Sequence, residues 1–134
     1  MQLNNSPVSS EQQWIPVEHS ALYCHSIGAG HPIAFVHGGG CGNMGHRYLI
    51  PELSELSDAY RCIFYDQRCA GQSTAPITTS ALDPNTAVDD LERLRVHFDI
   101  KKFSIVGHSW GGFVSLLYAM SHPEHVESVK LPIR

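Results

Sequence analysis

Ser109 stands in Gly107-His108-Ser109-Trp110-Gly111, a G-x-S-x-G between the apolar run Phe103-Ser104-Ile105-Val106 and an apolar stretch over residues 110–120. The first reads as a buried strand and the second as a helix, so the serine falls in the sharp strand-to-helix turn of a nucleophile elbow. Such a turn leaves room only for glycine two positions before and after the serine, and it holds the hydroxyl exposed at the end of the strand. The helix N-terminus behind it offers a favourable potential to a developing anion. His37-Gly38-Gly39-Gly40 follows another apolar run, residues 32–36, and its glycines let the backbone approach a substrate carbonyl oxygen. Gly39, then Gly40, is the expected N–H donor of an oxyanion hole completed by the backbone of Trp110. Each such donor is worth about 3–4 kcal/mol in the transition state. The plain alternative is that Ser109 only caps the helix.

A second pattern competes for the same glycines. Gly40-Cys41-Gly42-Asn43-Met44-Gly45 is a literal G-x-G-x-x-G, and Asp66 closes the next strand about 20 residues on, as in a dinucleotide-binding unit. Against it, His37-Gly38-Gly39 separate the first glycine from the strand, and two strands precede the unit. The loop-and-elbow reading accounts for the glycines without remainder.

The elements that must position these residues alternate. Residues 14–17 read as an edge strand, since Pro16 cannot donate to a ladder; residues 21–27 form a second, closed by the turn Gly28-Ala29-Gly30. Residues 32–36 and 61–65 are apolar on both faces, as strands covered by helices on two sides are. A helix is expected over 48–56, with Leu49, Leu53 and Leu56 on one face. Another is capped by Asp83 or Asn85, with Ala87, Leu91, Leu94 and Phe98 inward. After the helix over 110–120, ended at His122-Pro123, residues 126–131 begin a further strand. This alternation predicts a mostly parallel α/β sheet. Residues 1–12 read as a loose tail and residues 13–134 as one domain.

The 134 residues are about one domain's length. Hydrophobic content of 43% argues against disorder, and a net charge of −4 without a basic run argues against nucleic-acid binding. No stretch approaches the ~20 apolar residues of a membrane span, and the polar start is unlike a signal peptide; a cytoplasmic protein is expected. Cys24, Cys41, Cys62 and Cys69 form no C-x-x-C, and the nine histidines lack ligand spacing. Free thiols, no metal and no cofactor are expected.

In order and spacing, His37-Gly38-Gly39-Gly40, Asp66-Gln67-Arg68-Cys69-Ala70-Gly71-Gln72-Ser73 and Gly107-His108-Ser109-Trp110-Gly111-Gly112 resemble the α/β-hydrolase superfamily. The middle segment is similar to that superfamily's D-x-R-G-x-G-x-S turn, with Cys69 in place of the first glycine. Residues 89–95, the elbow and residues 118–123 resemble the proline iminopeptidase branch. The resemblance implies an α/β-hydrolase fold, incomplete here, with later strands and lid missing. It also implies that Ser109 attacks the carbonyl of a small peptide, amide or ester, that a histidine takes its proton, and that an acid orients the histidine. Partners in the chain order Ser–acid–His follow the serine. Only His122 and His125, beside Glu124 and Glu127, do so here, and the family places its acid and base after later strands. A chain without them is expected to be almost inert, since loss of a triad histidine costs on the order of 10⁶ in turnover. Such a chain would be a hydrolase fragment, a non-catalytic remnant or an interaction module. The remaining motif residues read as structural. Asp66 and Arg68 brace the turn, and His37 shapes the glycine loop. His108 packs beside the elbow, while His19, His25, His31, His46 and His97 are surface or packing groups. Asp89, Asp90, Glu92, Arg93 and Arg95 form a solvated helix face.

Overall fold

The computed structural model describes residues 10–41, 45–73 and 81–132. Six strands, β1 (Ser10–Val17), β2 (Ser20–Ile27), β3 (His31–Val36), β4 (Tyr60–Tyr65), β5 (Phe103–Gly107) and β6 (Val126–Lys130), form one sheet in the order β1-β2-β4-β3-β5-β6. β1 and β2 are antiparallel to their neighbours, and β4, β3, β5 and β6 run parallel. The helices are α1 (Ile50–Leu53), α2 (Pro84–His97) and α3 (Trp110–Ser121).

Period-two alternation divides the apolar strands between two faces. Ala34 and Val36 of β3 and Ile63 and Tyr65 of β4 join Leu91 and Leu94 of α2 and Val114 and Tyr118 of α3 in one core. Ile33, Phe35, Cys62 and Phe64 pack on the other face under Leu49, with Phe35 and Phe64 stacked at 4.4 Å. The connection from β3 to β4 through α1 therefore lies on one face and that from β4 to β5 through α2 on the other, and a crevice opens at the carboxyl ends of β3, β4 and β5. Crevices of this kind are where open α/β sheets bind ligands. α2 starts as its sequence predicts: the Asp83 carboxylate accepts from the Asn85 N–H at 2.9 Å, with Pro84 in the first turn.

Four expectations need correction. The tail gives way at Ser10, where β1 begins, because residues 10–13 pair with residues 24–27 of β2; residues 1–9 lie outside the described residues. The helix expected over 48–56 is broken into α1 and two flanking 3₁₀ turns, Arg47–Leu49 and Ser54–Asp58. Pro51 lacks an N–H to donate, and the Ser57 hydroxyl donates to the Ser54 carbonyl, a local bond that competes with regular helix. Leu56 is consequently exposed. Asp90 is buried rather than solvated, held by two hydrogen bonds from the Arg68 guanidinium at 2.9 and 3.0 Å. Finally, Cys41 and Cys69 are joined in a disulfide, with Cα atoms 5.0 Å apart. Cys24 and Cys62 are free and buried, and desolvation pushes their thiols up to about 12 and about 11, so they stay protonated and inert.

The disulfide closes a loop across 28 positions, for which chain-entropy arguments give about 3–4 kcal/mol. Urea unfolding in the presence and absence of a dithiol reductant is expected to differ by about that amount, with Cys41→Ser matching the reduced wild type.

Candidate active site

Three segments meet at the crevice: the glycine loop after β3, the turn after β4 and the elbow after β5. Their mutual distances follow from backbone contact. A side chain at Gly111 would place its Cβ 1.9 Å from the Val36 carbonyl oxygen, and one at Gly107 would meet the Ser115 hydroxyl at 2.4 Å and the Gly111 carbonyl at 2.5 Å. Real Cβ atoms do not come so near, so glycine is obligatory at both positions. The pressure falls on Ser109, which adopts φ 55°, ψ −117°. A non-glycine residue there is strained by roughly 1–3 kcal/mol, a pattern concentrated at functional sites. Ser109 is exposed and precedes α3, yet its side chain makes no capping bond to the helix. Capping therefore does not explain it.

The glycine loop lies directly over the elbow. A Cβ on Gly38 would be 3.2 Å from Ser109 Cβ, and one on Gly40 would be 3.5 Å from the Trp110 indole. Gly39 and Gly40 have φ of 85° and 57°, which turns the loop back over the site. Among the described residues, the N–H groups of Gly39 and Trp110 have no backbone acceptor. His37 holds this loop through a fixed tautomer. Its Nε2 accepts from the Gln67 N–H at 2.9 Å, so Nδ1 carries the proton and donates to the Gly38 carbonyl at 2.7 Å. Burial pushes the His37 pKa below the ordinary imidazole range, as a neutral ring requires. The Gln67 side chain donates to the His37 carbonyl at 2.7 Å and accepts from the Trp110 indole at 3.0 Å. A cleft of about 260 Å³ opens beside the serine, sharing Gly39, Gly40 and Trp110 with the loop and elbow and walled by Tyr65, Leu82 and the Arg68–Asp90 pair.

Asp66 is the anchor of the turn. Its carboxylate accepts from the backbone N–H and ring Nδ1 of His46, both at 2.7 Å, and from the Gln72 N–H at 2.9 Å. Burial alone would raise its pKa, but these donors hold it below the ordinary carboxylate range. His46, which carries no sequence signal beyond its type, is thus a buried partner of this acid. The arrangement also speaks against the dinucleotide reading, since Asp66 is engaged internally instead of facing a ribose. Gly42, Asn43 and Met44 of that pattern lie outside the described residues. No group of three or more His, Cys, Asp or Glu side chains among the described residues is placed to hold a metal ion.

His122 and His125 sit at the far end of α3 from Ser109. His122 stacks on Tyr118 at 4.6 Å, and His125 Nδ1 lies 3.0 Å from the Lys101 carbonyl. His108 points to Tyr48, 2.7 Å away. Among the described residues, no histidine is hydrogen-bonded to Ser109.

The sequence pattern of the family described as alpha/beta hydrolase fold matches residues 22–131, which include all three segments. The chain belongs to this family. Among relatives of the α/β-hydrolase chain is a proline iminopeptidase of Arabidopsis thaliana, 38% identical over 133 residues and covering 93% of this chain and 32% of that protein. A proline iminopeptidase of Xylella fastidiosa (strain 9a5c) is 34% identical over 119 residues, covering 85% of this chain and 36% of that protein. The chain spans about a third of the length of these curated relatives. Among solved structures, a proline iminopeptidase-related protein of Thermus thermophilus superposes with TM-score 0.83 at 25% identity, over 92% of this chain and 44% of that one. A Vigna radiata epoxide hydrolase mutant superposes with TM-score 0.81 at 23% identity, over 91% of this chain and 38% of that one, a likeness of fold. None of the described helices is long and apolar enough to cross a membrane.

Two outcomes follow for this hydrolase fold. Gly111→Ala is expected to cost more than about 4 kcal/mol or to prevent folding, read by urea denaturation, because backbone and not a flexible side chain blocks the methyl. Acid should destabilise the protein in two stages. The unfolded chain takes up a proton that folded His37 refuses, so stability falls as pH drops below about 6.5, towards the lowered folded value. Asp66 adds stability that is present above its ordinary value of 3.8 and is lost as pH falls through its depressed folded value. Unfolding free energies measured from pH 8 to 3 should decline in both windows, and Asp66→Asn should reduce the lower decline, leaving the part due to Glu92, which Arg95 and Tyr118 likewise hold below its ordinary value.

Proposed function

We propose that this α/β-hydrolase chain carries the nucleophile and oxyanion hole of a serine hydrolase of the proline iminopeptidase type, acting on a small peptide, amide or ester. The observation that carries the reading is the strained, exposed Ser109, whose hydroxyl is not spent on capping α3. Ser109 Oγ attacks the substrate carbonyl carbon, a base accepts the hydroxyl proton, and the carbonyl oxygen becomes an oxyanion facing the N–H groups of Gly39, with Gly40 adjacent, and Trp110. Collapse of this intermediate expels the amine or alcohol, which takes the proton, and water then hydrolyses the acyl-enzyme. The helix dipole of α3 adds to the positive potential at the oxyanion. The cleft walled by Tyr65, Leu82 and Trp110 receives an apolar part of the substrate. The branch assignment rests on the proline iminopeptidases named above, to which the chain is 34–38% identical.

A second reading, a non-catalytic binding module, draws on one observation: no described histidine of this chain reaches Ser109, so the base is supplied from elsewhere or not at all. The cytoplasmic setting is likewise a proposal, and the Cys41–Cys69 disulfide bears on it, since such bonds persist mainly in oxidising compartments.

A fluorophosphonate probe applied to the full-length gene product should label Ser109, and Ser109→Ala should abolish the labelling. An N-terminal prolyl amide should then be cleaved in preference to a simple ester. A folded, monodisperse protein with no labelling would establish the module instead. The 134-residue chain by itself should turn over substrate on the order of 10⁶ more slowly than a triad-complete enzyme.

A further inference from the structure

Tyr48 belongs to none of the motifs, yet its hydroxyl lies between the two segments that flank Ser109. The oxygen accepts the Gly38 N–H at 2.7 Å and is 2.7 Å from His108 Nδ1. A phenol carries one hydrogen. The hydroxyl thus bridges the Gly38 N–H and the His108 ring, donating to Nδ1 or accepting from it according to the ring's tautomer. The ring of Tyr48 also meets His108 edge-on, with centroids 5.5 Å apart. Burial raises the Tyr48 pKa, which keeps the hydroxyl protonated.

The two partners of this hydroxyl are not interchangeable surface groups. Gly38 N–H immediately precedes the Gly39 donor, and His108 immediately precedes Ser109 and Trp110. The segments are otherwise held together by the His108 N–H bond to the Val36 carbonyl at 3.0 Å and by Gln67, which bridges His37 and Trp110. Gln67 fixes the side of the gap facing the cleft, and Tyr48 fixes the other side. Removing either bridge lets the loop and elbow move apart or slide, and oxyanion donors act over a few tenths of an ångström.

We propose that Tyr48 is a positioning residue: its hydroxyl sets the spacing between the glycine loop and the serine elbow, and with it the geometry of the paired N–H donors of Gly39 and Trp110. The inference rests on the reading of Ser109 as nucleophile for its kinetic consequence, but not for the spacing itself. Tyr48→Phe is the test, because it keeps the ring and its contact with His108 and removes only the hydroxyl.

In the full-length gene product, Tyr48→Phe should lower kcat and the rate of fluorophosphonate labelling by about 10–100-fold, the size expected for a misplaced donor. KM should stay within about twofold, since the lost effect is confined to the transition state. Nitrogen-15 NMR of the histidine rings should show the His108 Nδ1 resonance shifted in Tyr48→Phe relative to the wild type, since the variant loses its hydrogen-bond partner there. The Gly38 amide should exchange faster in the variant. A folded Tyr48→Phe protein with the wild-type kcat overturns the proposal. If the wild type takes no label at Ser109, the nucleophile reading has failed, and the spacing is decided by NMR alone. Lost protection of Gly38 in the variant then upholds it, and retained protection overturns it.

Discussion

Where α3 starts, its second residue has no room for a side chain, because the carbonyl of Val36 at the end of β3 occupies that space. This backbone contact is what the rest of the arrangement depends on. It brings the helix terminus against the strand end, bends β5 into α3 within three residues, and pushes Ser109 into a backbone conformation that residues with a Cβ avoid. The glycine loop has only one place to go after β3, over the turn, and it passes close to the Ser109 side chain. Rigidity here comes from sterics, which do not weaken with salt or pH. The polar bridges of Gln67, Tyr48 and His37 refine a position that excluded volume has already narrowed.

The polar part of the structure has a different logic. Asp66, His46, Arg68, Asp90 and His37 are all buried or nearly so, each with partners for its hydrogen-bonding groups. Buried pairs of this type contribute little net stability, because desolvation offsets the attraction, but removing one partner leaves the other uncompensated. Their effect is specificity of register. Asp66 joins the start of the 3₁₀ turn at Arg47–Leu49 to the turn after β4, and Arg68 ties that turn to α2 through Asp90. Three connections that share no sequence neighbourhood are thereby fixed to one another beneath the crevice.

Much of this is legible in the sequence. The strands covered on both faces, the capped α2 and the elbow are each specified locally, by apolar runs, by Asp83-Pro84 and by paired glycines around Ser109. The loop His37–Gly40 likewise lies against the elbow, and the turn from Asp66 to Ser73 braces that loop as the family resemblance implies, with Gln67 reaching the Trp110 indole. The misses have a common cause, which is that they depend on contacts between distant segments. Asp90 lies in a charged run indistinguishable from a solvated face, and only Arg68, 22 positions earlier, makes it an interior residue. His46 and Tyr48 carry no pattern, and their roles come from Asp66 and from Gly38 and His108. The expected helix over 48–56 fails for a local reason that the sequence does contain: Pro51 and Ser54 within it, with Ser57 just beyond, favour short turns. The early start of β1 reflects pairing with β2, which rescues a polar stretch that has little strand propensity of its own.

Cys69 occupies a position whose backbone has φ 58°, in the left-handed region that favours glycine, the residue the family's turn usually has there. A cysteine at such a site is a compromise between backbone comfort and a covalent tie to the end of the glycine loop. Changing Cys69 alone to glycine relaxes the turn but strands Cys41 as a lone thiol beside the cleft. Changing Cys41 alone leaves a strained residue with no compensating bond. The fitness effect of either substitution is therefore contingent on the other, and the two positions are expected to be gained and lost together along a lineage, a pairwise epistasis set by one backbone angle.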